Sequence, residues 1–489
     1  MKSPFFVFIA ALVLAAPLAA AQSVPAQRSP NVLFIMSDDL NNDLDTYGHS
    51  IVKTPHIDRL AQRGVRFERA YCQFSWCNPS RASLLTGRRP DDIRIYDLAS
   101  HFRFTTPDVV ALPQLFRRHG YRAERMGKIY HYGVPGEMRS PGFDDPVSWD
   151  MVVYLYGRDT EAFDELINFT PQIPIGAALT FRADDGPGEE QTDGWVATEA
   201  IKALERFKGS GEPFFLDVGF FRPHVPFIAP KAYFEQYPLE SIPAPPDSAE
   251  SLEAVPAAAY RKPLFHGLSS LQQRLIIRAC YASISFMDAQ AGRVLTALDH
   301  LGLAENTIVV FLSDHGYLMG EHGQWGKQSL FEESVRAPMI IAAPGYAEGG
   351  AAPHPVEFVD VYPTLVELAR LPAPDGLAGR SLVPILAQPD LPWPHPAFSQ
   401  VGAGTTIRTQ RWAYNEWGPA GVDGVELYDH ASDPKEQRNL AGDPAHASVI
   451  EDLRTQLRAK IPPRPVVSGG GRPGWWPERS PGYIPDEFR

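Results

Sequence analysis

Cysteine is scarce in this chain: 489 residues contain three, Cys72, Cys77 and Cys280. That excludes a disulfide scaffold and leaves a hydrophobic core to hold the fold. Positive charge is short as well, with 45 lysines and arginines against 58 aspartates and glutamates, a formal net charge of −13. A nucleic-acid partner is therefore not expected, because neutralising phosphates calls for a basic surface. No internal repeat at a solenoid period is visible. Past the N-terminus, no apolar run is long enough to span a bilayer.

The N-terminal apolar stretch has a different meaning. Lys2 precedes an apolar run over residues 5–14, and residues 15–21 end in Ala19-Ala20-Ala21 before Gln22. This is the pattern of a cleaved export signal over residues 1–21, so the mature chain is expected to be periplasmic or secreted. Hydrophobic residues at 44% and charged residues at 21% describe a soluble globular protein. The length suits a large catalytic core over residues 22–390 and a smaller region over residues 391–489, divided by a Pro-rich joint.

Short apolar runs bounded by polar residues, over 31–36, 213–220 and 307–312, read as buried parallel strands. Further strands are expected over 121–126 and 338–343. Helical spacing marks 54–61, 80–85, 112–119, 195–207 with Asp193 as its cap, 269–301 as one long helix or two abutting ones, and 360–371. The alternation predicts an α/β fold with a large mixed, mostly parallel sheet flanked by helices. Behind it, strands over 405–408, 412–416 and 425–428 and a helix over 447–460 predict a small antiparallel α+β subdomain. Residues 462–489, rich in Pro and Gly and carrying Trp475-Trp476, read as an extended surface tail.

The strand ends carry the chemistry. Asp38-Asp39 follow the first strand, at the end where open α/β sheets place their ligands. Alone they are as consistent with a helix cap, but neighbouring acids favour a cation. Lys128 and His131 follow 121–126 and share a face if the turn is helical; either alone is an ordinary surface residue. His224, held between Pro223 and Pro226, reads equally as a packed loop histidine. Asp314-His315 end the strand over 307–312, and Lys327 lies in the Gly-rich loop beyond. Residues 140–194 carry no motif that fixes a ligand, and the acidic stretch 184–193 reads as substrate-facing decoration or a lid.

The most constrained stretch is Cys77-Asn78-Pro79-Ser80-Arg81-Ala82-Ser83-Leu84-Leu85-Thr86-Gly87-Arg88, a loop entering a helix at Ser80. A lone cysteine is more often a buried structural residue. This pattern resembles the signature of the type I sulfatases, in which the cysteine is oxidised to formylglycine. A sulfate ester is an anionic, shielded electrophile. A hydrated aldehyde attacks it with one hydroxyl and later expels sulfate with the other. The order Asp-Asp, Cys-x-Pro-Ser-Arg, Gly-Lys-x-x-His, Arg-Pro-His-x-Pro-Phe, Ser-Asp-His-Gly and Gly-Glu-His-Gly-x-Trp is similar to the iduronate-2-sulfatase branch of that family.

The resemblance implies an alkaline-phosphatase-like fold and a sulfuric ester hydrolase acting on a sulfated sugar, a 2-O-sulfated uronate in that branch. It implies one divalent cation, calcium, bound by Asp38, Asp39, the formylglycine made from Cys77, Asp314 and His315; calcium prefers oxygen, so His315 is the least expected ligand. Lys128, His224 and Lys327 would bind the ester's oxygens and protonate the leaving alcohol. His131 would take the proton from the sulfated hemiacetal, and Arg81 would stabilise the formylglycine turn. A formylglycine-generating or equivalent maturation enzyme is the implied partner. With Cys77 consumed, Cys72 and Cys280 are left to pair or to stay reduced. The acidic charge disfavours wrapping of long polysulfated chains and favours a small or terminal sulfated unit. Other readings are a phosphonate or phosphodiester hydrolase with the same nucleophile, a sulfatase for another sulfated glycan or choline sulfate, and a non-catalytic glycan-binding relative. The last would have lost Cys77 or a metal-binding acid.

Overall fold

The structure, a computed structural model, describes Met1 and residues 29–161, 163–245, 255–260, 264–463 and 482–488. Apart from Met1, the expected export signal lies outside them, as does Trp475-Trp476. Eight strands form the central sheet: β1 (Asn31–Asp38), β2 (Val65–Tyr71), β3 (Arg122–Gly127), β4 (Met151–Val153), β5 (Phe214–Pro223), β6 (Thr307–Ser313), β7 (Met339–Ala342) and β8 (Gly350–Glu357). Their order is β8-β2-β7-β6-β1-β5-β3-β4. Only β7 runs antiparallel to its neighbours.

The continuous apolar runs follow from burial on both faces. In β1, Leu33 and Ile35 enter one hydrophobic cluster while Val32, Phe34 and Met36 enter another. The same split separates Val309 and Phe311 from Ile308, Val310 and Leu312 in β6. Two helical layers cover these faces. The helices are α1 (Pro55–Gln62), α2 (Cys77–Thr86), α3 (Leu112–Arg118), α4 (Thr192–Ser210), α5 (Ser270–His300) and α6 (Val361–Leu368). On one side α1, α4 and α5 contribute Leu60, Leu204 and Ile284. On the other α2, α3 and α6 contribute Leu85, Leu115 and Leu365. Because β1, β3, β5 and β6 all run the same way, their C-terminal ends bring Asp38, Lys128, His224 and Asp314 to one edge.

Several sequence expectations are corrected. β2, β4 and β8 were not expected. The run of β8 is broken by Pro353 and Pro355, which are tolerated because β8 is an edge strand. Of the one or two helices open over 269–301, the structure forms one, Ser270–His300, started by Ser269 accepting from the Gln272 amide. Asp193 is not a cap. α4 already begins at Thr192, and the buried Asp193 carboxylate accepts from the Phe221 (2.8 Å) and Arg222 (3.0 Å) amides instead.

The C-terminal region is a four-stranded antiparallel sheet of β9 (Ala397–Val401), β10 (Gly404–Arg408), β11 (Trp412–Trp417) and β12 (Gly424–Asp429), one strand more than expected. Helix α7 (Ala447–Lys460) packs Leu453 and Leu457 on Ile407, Tyr414 and Leu427. The opposite face packs Ala413 and Tyr428 against Tyr71, Phe74 and Phe331 of the core. The tail returns at Tyr483, whose amide donates to the Leu166 carbonyl (2.9 Å).

Cys72 is buried on the α2 side of the sheet and Cys280 on the α5 side, both as free thiols. The sheet between them rules out the pairing left open by the sequence. Thiol counting after unfolding, without reductant, is expected to label both. Reductant is expected to leave the melting temperature unchanged; a reductant-sensitive melt would contradict this arrangement.

Candidate active site

The backbone at the end of β1 turns sharply. Asp39 adopts a left-handed φ of 65°, a conformation that non-glycine residues hold only where surroundings fix it. Its amide donates to Asp314 Oδ1 (3.1 Å), and the next amide, Leu40, donates to Ser313 Oγ (2.9 Å). The ends of β1 and β6 are thereby sewn together, and three carboxylates, Asp38, Asp39 and Asp314, are buried side by side.

Arg81 makes that possible. Its Nε donates to Asp314 Oδ2 (2.9 Å), Nη2 to Asp38 Oδ1 (3.0 Å), and Nη1 to the carbonyls of Lys128 and Ile129 (2.9 Å each). A guanidinium can bridge two acids in this way where an ammonium cannot. The Lys128 ammonium, fully buried, donates to Asp38 Oδ2 (2.6 Å). Burial alone would raise Asp38, but Lys128 foremost, with His224, Arg81 and Lys327, holds its carboxyl well below the ordinary range.

Cys77 lies at the first position of α2, not in a loop ahead of it. Unpaired amides at a helix start favour an anion there. Its Sγ is 3.1 Å from Lys327 Nζ, 3.4 Å from His315 Nε2 and 3.7 Å from Asp39 Oδ1. Burial, opposed by Lys327 and reinforced by Asp314, Asp38 and Asp39, pushes the thiol well above its ordinary value. As a thiol it is a poor nucleophile.

The ligating atoms of Asp39, Cys77, Asp314 and His315 all lie within 4.8 Å of one another, a set that can hold a metal ion. His315 donates from Nδ1 to the Gly316 carbonyl (2.8 Å), which leaves Nε2 for that cluster. Asp38, the fifth expected ligand, stands beside them with its oxygens on Arg81 and Lys128. The Lys327 ammonium sits against both oxygens of Asp39 (2.6 and 2.8 Å), so positive charge already converges where the acids meet.

Above this layer is a cavity of about 310 Å³. Asp39, Cys77, His131, His224 and Lys327 reach it; Arg81, Lys128, Asp314 and His315 lie behind. The Lys128 ammonium is thus engaged by Asp38, and the Arg81 guanidinium by Asp38 and Asp314. No helical turn joins Lys128 to His131, which follow β3 in a bend. His131 presents a buried Nδ1 that has no hydrogen-bond partner. His224 donates from Nδ1 to the Val225 carbonyl (2.6 Å), and its Nε2 is 3.7 Å from Asp39 Oδ2. Burial, against the pull of Asp39, lowers His224 to about 4.

Trp76, Glu137, Phe143, Tyr317 and Trp325 are among its walls. Trp325 closes the Gly-Glu-His-Gly-x-Trp motif without having been given a role, and Trp76 directly precedes Cys77, a signal that sequence reasoning passed over; nothing local singles out Glu137 or Tyr317. Of residues 140–194, Phe143, Ile173, Gly176 and Ala177 line the cavity. None of residues 184–193 lines the cavity. Asp184 is paired with Arg158 (3.0 Å) and Arg182 (3.3 Å), Glu190 with Arg158 (3.2 Å).

The description of the sulfatase family matches residues 30–371, and that of the N-sulphoglucosamine sulphohydrolase C-terminal region matches residues 320–462. The chain belongs to the sulfatase family. As an enzyme it is a sulfatase, similar to iduronate 2-sulfatase of Mus musculus, at 32% identity over 89% of this chain and 95% of that protein. The phosphonate monoester hydrolase of Agrobacterium radiobacter superposes with a TM-score of 0.72 at 26% identity, covering 88% of this chain and 96% of that one. A structure solved with its substrate D-glucosamine-2-N,6-O-disulfate superposes at 0.70 and 22% identity, covering 88% and 97%, which shows the shared fold.

Replacing Arg81 with Met leaves two buried carboxylates without their shared partner. This sulfatase is then expected to lose about 3–5 kcal/mol of stability, read by urea denaturation, whereas Arg81→Lys is expected to lose less. A fully stable Arg81→Met protein would contradict the bridging role.

Proposed function

We propose that this sulfatase hydrolyses the sulfate ester of a terminal, monosaccharide-sized unit of a sulfated glycan, a 2-O-sulfated uronate. The observation that carries the reading is the cavity floor, where Cys77, Asp39, His131, His224 and Lys327 meet at the base of an enclosure of about 310 Å³. That volume is at the low end of small-molecule sites, roughly 300–1,000 Å³, and suits one sugar. The choice of a uronate rests on the likeness to iduronate 2-sulfatase.

Asp38, Asp39, Cys77, Asp314 and His315 would hold a divalent cation. Their mostly oxygen donors, more so once Cys77 carries oxygen, suit calcium, which would polarise the sulfate oxygens. Cys77, converted to formylglycine by a maturation enzyme, would supply as its hydrate the hydroxyl that attacks sulfur. The chain's own groups do the rest. Lys327, whose charge burial opposes but Asp39 and Cys77 sustain, binds a sulfate oxygen beside Cys77. His224 faces the cavity with Nε2 and is placed to hydrogen-bond the leaving oxygen; an anionic sulfate nearby favours its protonated form. His131 offers the unpartnered Nδ1 as proton acceptor at the same floor. Arg81 and Lys128 fix the acids from behind. The N-terminal pattern supports export to the periplasm or exterior.

A second reading, hydrolysis at a phosphorus centre, is favoured by the likeness to phosphonate monoester hydrolase. Side-by-side rates on 4-nitrophenyl sulfate and on a phosphonate monoester separate the two, and faster sulfate turnover is expected. Sulfate release from a terminal 2-O-sulfated uronate is expected to fall roughly 10³-fold or more in Cys77→Ala; undiminished release would refute the reading. Calcium at 100 times its Kd is expected to add about 2.7 kcal/mol of stability, seen as a higher melting temperature that chelator reverses. No shift with any divalent cation would remove the metal from the account.

A further inference from the structure

Lys327 heads a strap of chain held from two sides. From the Cys77 side, Gln328 donates its amide to the Ser75 carbonyl (2.9 Å), and Ser75 Oγ donates to the Ser329 carbonyl (2.7 Å). From the other side comes the C-terminal subdomain. Arg408, the last residue of β10, donates to the Leu330 carbonyl, and Glu436 Oε2 accepts from the Glu332 amide (2.8 Å). Arg408 and Glu436 are fully buried and paired with each other, and Arg408 Nη1 is 3.6 Å from Glu332 Oε2. Tyr71 of β2 donates to Glu332 Oε1 (2.9 Å), and His430 Nε2 is 2.9 Å from Glu436 Oε1.

Glu332, His430 and Glu436 have the makings of a metal site, but the Arg408 guanidinium already pairs with both carboxylates. The cluster is an ion-pair junction in which each charge has a partner. The place it joins matters. Gln328, the residue after Lys327, has a left-handed φ of 68°, which a non-glycine residue keeps only under external restraint. A lysine stem is flexible, so where its ammonium arrives depends on where its backbone is held. The family match over residues 320–462 takes in the strap and the subdomain together.

We propose that Arg408 and Glu436 are positioning residues for Lys327. Among the described residues the C-terminal subdomain contributes nothing to the cavity walls. It acts on the site through the strap, setting where the Lys327 ammonium sits against Asp39 and Cys77. The inference rests on the sulfatase reading of the site.

The test is Glu436→Gln, which keeps size and an acceptor but removes the charge facing Arg408, with Arg408→Lys as a milder second variant. In hydrogen exchange, peptides spanning residues 325–332 are expected to exchange faster while those of α2 stay unchanged. On 4-nitrophenyl sulfate, kcat is expected to fall roughly 10- to 100-fold, with no comparable further loss when Glu436→Gln is added to Lys327→Ala. Unchanged exchange over 325–332 in both variants would overturn the proposal, as would a kcat loss that recurs in full without Lys327. A parent protein that turns over no sulfate ester would count against the sulfatase reading, and the exchange result would still decide this one.

Discussion

Three buried carboxylates at one end of a sheet repel one another, and the structure is arranged around that repulsion. Arg81 answers it by bridging Asp38 and Asp314 from within the helix that begins at Cys77. The acids are therefore held by a side chain of the same helix that begins at Cys77, four residues further on. Lys128 and Lys327 neutralise Asp38 and Asp39 in turn. Asp38 has two cations, but removing Arg81 or Lys327 takes from Asp314 or Asp39 its arginine or lysine partner, which costs more than the pair itself contributes.

The charges are sorted into two layers. Behind the cavity floor, Arg81, Lys128, Asp314 and His315 are closed off and hold one another. On the floor, Cys77, Asp39, His131, His224 and Lys327 are open to a ligand. Lys327 belongs to both layers, since it pairs with Asp39 and also reaches the cavity. Its backbone is accordingly the part of the site tied to the second sheet.

Much of this was legible in the sequence because parallel strands buried on both faces are continuous apolar runs, and the residue after each run falls at the same edge. Asp38, Lys128, His224 and Asp314 could be grouped on that basis, and the pattern around Cys77 on its own constraint. Direction was not legible. Whether Lys128 faces a ligand or an acid depends on how the segment after β3 reaches past β5 to the end of β1, which no local pattern encodes. Asp193 looked like a cap because its carboxylate precedes an amphipathic run, yet its partners are amides of β5. The junction of Glu332, Arg408 and Glu436 joins residues far apart in the chain, and β8 was hidden by two prolines that only an edge strand accepts.

The central claim is that Cys77 works as an oxidised residue and not as a thiol. Mass spectrometry of the tryptic peptide bearing Cys77, from protein purified out of a host that carries the maturation enzyme, tests it most directly. A mass about 18 Da below the cysteine form is predicted, the signature of formylglycine. An unmodified cysteine in protein that nonetheless releases sulfate would contradict the account.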